Sequence, residues 1–160
     1  MKKFLKTIRF DPSDTHVFEN AAVSDEWAIP GGFLFAGDTE DTLSGKRKQA
    51  FNNGFLSLAQ FGHSTFVSVA EIADETLDTL SGGLAQFFVT QMNAPSQEMA
   101  LQAAKQELDF VCDMCQQVPI NSVFAMRRFF DDEGQIREEF SIVDAPGAKP
   151  HARVWEVVED

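Results

Sequence analysis

Cys112 and Cys115, the only cysteines in the chain, stand at C-x-x-C spacing in the stretch FVCDMCQQ. That spacing serves two chemistries, thiol–disulfide exchange and metal ligation. Exchange needs a thiolate, and a helix N-terminus supplies one through its unpaired amides and the positive end of its dipole. Here the pair falls near the predicted end of a helix, between Asp109 and Asp113, where the dipole and both carboxylates oppose ionisation. Leu101, Ala104, Leu108, Val111, Cys115 and Val118 follow one another at steps of three and four, an apolar helical seam that contains Cys115 and passes beside Cys112. Both thiols therefore read as core residues, with no metal and no disulfide. A zinc site would need two more ligands, and His16, His63 and His151 have no paired spacing, so His63 and a second histidine would have to converge on this helix.

Other fragments imitate catalytic motifs and fail on spacing. GHSTF, from Gly62, has Phe66 where the nucleophile elbow G-x-S-x-G needs glycine, and it lies between a helix and a strand in the reverse of the required order. SGKRK lacks the glycine spacing of a phosphate loop and has Arg47 at the magnesium-binding hydroxyl position. DDEGQIREEF lacks the acidic ladder of a calcium loop and reads as a charged hairpin turn. Glu138-Glu139 and Arg127-Arg128 are adjacent pairs in strands, so each pair divides between the two faces of a sheet. One arginine must then face the covered side or the sheet edge, where it needs an acidic partner. The grouping left for a ligand pocket is His63, Trp27 and Arg127 or Arg128.

The elements that would position these residues follow from periodicity and turn signals. FLKTIRF alternates as a strand from Phe4 to Phe10, DPSD turns, and THVFE returns as its partner. Pro30-Gly31-Gly32 is a turn before a short apolar strand, FLFAG. Phe51, Phe55 and Leu58 predict a helix over about 44–61, closed by Gly62 as a left-handed cap, and STFVSVAEI alternates as a strand. Asp74 is the expected N-cap of a second helix, seamed by Leu77, Leu80, Leu84 and Phe87 and open to a kink at Gly82-Gly83. The cysteine helix begins near Ser96 and ends before Pro119. SVFAMRRFF and QIREEFSIV form a hairpin around Gly134, and ARVWEVVE is a last strand. Strands joined mainly by short turns predict an α+β fold, an antiparallel sheet with about three helices on one face, in a single domain over residues 1–160.

Composition narrows the function classes. Twenty-five acids against 13 lysines and arginines give a net charge of −12, which disfavours nucleic acid and anionic lipid as partners. The chain has 16 Phe, two Trp and no Tyr, so a tyrosine acid or base is excluded and the core gains rings without phenol hydroxyls. Lys6 and Arg9 break the first apolar stretch before it reaches signal-peptide length, and no window approaches a membrane span, so a cytoplasmic location is expected.

TIRFDPSDTHVFENAA, EWAIPGGFLF and GFLSLAQFGHSTFVSV together resemble an uncharacterised proteobacterial family of small proteins with no assigned activity, and GQIREEF resembles it more loosely. The resemblance brings no catalytic residues. It implies a bacterial, cytoplasmic protein, and it suggests an accessory role of the kind encoded beside metal-dependent redox enzymes and lipoate-ligase-like proteins. Residues and resemblance together favour a non-catalytic module without cofactor that binds a protein partner, including a second copy of itself. A small enzyme or ligand-binding domain using His63, Trp27 and Arg127 or Arg128 is the alternative.

Overall fold

Alternation in the first residues produces a strand, β1 (Lys2–Ile8), and the remainder of one sheet assembles around it. The computed structural model describes residues 2–143. In chain order β1 is followed by β2 (Trp27–Ile29), β3 (Phe55–Ser57), β4 (His63–Ser64), β5 (Phe66–Ile72), β6 (Val123–Phe130) and β7 (Ile136–Val143). Their order across the sheet is β4-β3-β2-β1-β5-β6-β7, with every neighbouring pair antiparallel. Phe4 and Leu5 point to opposite faces and both are fully buried, so the centre of the sheet is covered on both sides. Each such side chain contributes roughly 1.5–3 kcal/mol of burial.

Among the described residues the α-helices are α1 (Ser13–Val17), α2 (Gly45–Asn53), α3 (Asp74–Met92) and α4 (Gln97–Cys115). α4 packs on β1 and β2, α3 packs along α4, and α2 lies against β6. The fold is α+β, as the order of elements predicts. The Ser96 hydroxyl accepts from the Met99 amide and starts α4, whose buried stripe is Ala100, Ala104, Leu108, Val111 and Cys115. Leu101 lies beside that stripe, more than a third exposed. α3 runs unbroken through Gly82-Gly83, with Ala73 rather than Asp74 at its N-cap.

Three expected elements differ. THVFE is not a strand: the Asp11 carboxylate accepts from the Ser13 amide, the Thr15 hydroxyl donates to Pro12 O, and this local bonding turns the chain into α1. FLFAG is not a strand either. Gly31 adopts φ +75°, and Gly32–Phe35 coil into a 3-10 turn. The helix expected over 44–61 stops at Asn53, and Phe55–Ser57 become the fully buried strand β3. At the break Gly54 turns to extended backbone, and the junction needs glycine, because a Cβ there would sit 2.9 Å from both the Ala50 carbonyl oxygen and the His63 ring. The left-handed residue after β3 is Phe61 (φ 58°), while Gly62 lets the chain pass within contact distance of residues 20–22. The expected strand ARVWEVVE, and His151, lie outside the described residues.

Candidate functional site

The β6–β7 hairpin sets the charges of the site through its register. Arg127 stands opposite Glu139 and Arg128 opposite Glu138, so the two adjacent pairs separate onto the two faces. Arg127 donates to Glu139 Oε1 at 2.9 Å in an exposed ion pair and lies 4.2 Å from the Phe129 ring centroid. Arg128 is buried, only 1% exposed, and each of its nitrogens is occupied. Nε donates to Glu138 Oε2 (2.9 Å), Nη1 to Phe51 O (2.9 Å) and Nη2 to Pro30 O (2.6 Å). The Phe51 carbonyl belongs to the last turn of α2, where the negative end of the dipole favours a cation. Burial draws the guanidinium down from its ordinary value and Glu138 opposes that, leaving it charged at neutral pH.

Gly32 brings the 3-10 turn onto this pair. A Cβ at that position would fall 2.8 Å from Glu138 Oε2 and 3.5 Å from Arg128 Nε. Above the pair opens a cavity of about 550 Å³ between the turn, α4 and β7, walled by Phe33, Phe110, Ile136 and Phe140 and carrying Glu107, Glu138 and Arg137. A second hollow of about 320 Å³ shares Phe33 and Glu107 with it and runs on past Phe88 to Met92, Pro95 and Met99. The two form one groove along α4. Burial first, and then the charge of Glu138, push the Glu107 carboxyl up from its ordinary value. Glu138 is held through Oε2, and Arg137 is drawn aside by Asp131 at 2.8 Å. Glu107 takes part in none of the ion pairs formed among the described residues.

His63 lies elsewhere, in a hollow of about 180 Å³ with Asn20, Phe35, Lys46 and Arg47. Burial first, then the charges of Arg128 and Arg47, lower its pKa to about 4, so the ring is neutral at physiological pH. Phe35 connects it to Arg128, with its ring 6.4 Å from the imidazole and 5.4 Å from the guanidinium carbon. Trp27 is separate from both: it packs edge-on against Phe4 and under the Lys6 ammonium at 4.6 Å. Of the four residues read as pocket candidates, His63 and Arg128 thus share a neighbour, whereas Trp27 and Arg127 stand apart.

The thiols face the α4 packing. Cys115 is buried and Cys112 half-buried, and both are free. Burial, with Cys112 next, pushes the Cys115 thiol up to about 12, and burial also raises Cys112. Neither is a thiolate at neutral pH. Among the described residues no group of three or more His, Cys, Asp or Glu side chains is placed to hold a metal ion. Ser64 is buried and donates to Phe66 O at 2.7 Å, so its hydroxyl braces the β4–β5 bend.

The groove residues Glu107, Phe33 and Phe110 were not singled out by sequence. Glu138 carried a signal, since counting back from the Gly134 turn places it opposite Arg128.

Among the described residues, a seven-stranded antiparallel sheet bearing an aromatic, carboxylate-containing groove defines an α+β protein. The chain belongs to DUF6505, a family of unknown function, whose family model matches residues 1–154. No curated protein and no solved structure matches it. Among the described residues, no helix is long and apolar enough to cross a membrane.

Proposed function

We propose that the protein is a non-catalytic, cytoplasmic accessory module that binds a segment of a partner protein in the groove along α4. The observation that carries this reading is the exposure of large apolar side chains on the groove and its rim in so acidic a molecule: Met99 is 55%, Phe110 49% and Met92 36% exposed. Flexible methionines beside rigid aromatic rings suit a surface that packs against another chain. The side chains most able to do chemistry support the same reading, because the thiols are protonated, Ser64 is bonded to backbone and Arg128 is consumed by structure. Two free thiols suit a reducing compartment.

Selection of dodecapeptides from a random display library on the full chain tests the proposal. Phe110→Ser and Met99→Ser should each weaken the selected binders at least tenfold by calorimetry while the far-UV spectrum is retained. Binders indifferent to both substitutions would remove the groove from consideration.

A further inference from the structure

We infer that the partner segment inserts a lysine or arginine side chain between Glu107 and Glu138, with apolar residues on either side of it. This rests on the groove reading above and adds the chemistry of its occupant. The groove places two carboxylates, Glu107 and Glu138, and one cation, Arg137, in a cavity whose larger apolar walls are Phe33, Phe110, Ile136 and Phe140. The cations near them are already committed, Arg128 to Glu138 Oε2 and to carbonyls, and Arg137 to Asp131. Glu138 therefore keeps Oε1 for a ligand, and Glu107 keeps both of its oxygens among the described residues. With Arg137 held by Asp131, the two carboxylates favour an ammonium or guanidinium, and the aromatic walls suit its methylene stem and add cation–π attraction. Burial first, and then the charge of Glu138, raise the Glu107 carboxyl, and an arriving cation would oppose both and favour the ionised form. The charged groups that line the cavity with Glu107 are Glu138 and Arg137 on β7, and Arg128 on β6 is paired to Glu138. An overall charge of −12 steers such a partner inward at low salt.

The probe is the tightest dodecapeptide from the display selection, resynthesised with each Lys or Arg changed to norleucine and to Glu. One norleucine change should cost at least tenfold in affinity on the native chain, and the Glu change more. Glu107→Gln should produce the same loss with the parent peptide and abolish the distinction between Lys and norleucine. Glu138→Gln, which preserves an acceptor for Arg128, should do so in part. If peptides bind, lose affinity with Phe110→Ser, and show no preference for Lys or Arg, the cation assignment is overturned while the groove reading stands. If binding ignores Phe110→Ser and Met99→Ser, both fall. A small aromatic amine such as phenethylamine that matches the peptide's affinity would overturn the protein-segment assignment. So would a concentration-dependent dimer in sedimentation that Phe110→Ser dissolves, making a second copy the occupant.

Discussion

Arg127 and Arg128 differ by one position and by most of their energetic weight. The Arg127–Glu139 pair is exposed at 61% and 60%, so water and salt compete for it, and Arg127→Ala should cost less than ~1 kcal/mol. Arg128→Ala leaves the Pro30 and Phe51 carbonyls without their donor and Glu138 without its counter-charge, and should cost about 3–5 kcal/mol by urea denaturation. A loss near that of Arg127→Ala would refute the clasp. His63 gives stability an acid limit. Its folded pKa is lowered to about 4 from 6.5, so below 6.5 the unfolded chain binds the proton first, and stability falls as pH drops from 6.5 toward 4. The contribution is at most about 3 kcal/mol, from ~1.4 kcal/mol per unit. Glu107 acts in the opposite sense, since a raised carboxyl adds stability as it protonates. The difference between the native chain and His63→Gln over pH 4 to 7 isolates the histidine, and coincident profiles would contradict its burial as a neutral ring.

At the scale of elements, the long pieces were legible in the sequence and the short buried ones were not. The β6–β7 hairpin announced itself through alternation and a turn glycine, Gly134, at φ +77°. α4 did so through its stripe. β2 and β3 have three residues each, too few to alternate, and Phe51, Phe55 and Leu58 fall at helical steps by coincidence while the Gly54 break separates them. The groove was hidden for a related reason, since it joins α4 to β7 and to a turn read as a strand. Glycines give these elements opposite responses to alanine. At Gly31 a Cβ would lie 2.6 Å from Leu56 Cβ with φ at +75°, so Gly31→Ala should destabilise by about 2–4 kcal/mol. Gly82 and Gly83 are exposed inside α3 with nothing within 4 Å of a new Cβ, so each change to Ala should add roughly 0.5–1 kcal/mol. Thermal melts of the three variants check both signs.

For the molecule as a whole, phenylalanine rings stand in the interior without phenol hydroxyls, the small hydroxyls buried there are Thr7, Ser57, Ser64 and Ser81, and acids outnumber cations in the composition. The thiols belong to that interior. Alkylation followed by mass spectrometry should label Cys112 slowly and Cys115 only at the rate at which the chain opens, and rapid labelling of Cys115 in the native protein would contradict the packing of α4.

The Arg128 clasp also orders events in time. Its carbonyl acceptors at Phe51 and Pro30 lie 77 and 98 residues earlier in the chain, and Glu138 follows 10 residues later. During synthesis the first strands and α2 emerge long before the guanidinium that closes them, and loop closure over such separations is slow. The early strands and the end of α2 therefore wait, uncapped by charge, until β6 and β7 have followed them out of the ribosome; the residue that locks this part of the fold arrives well after the groups it holds.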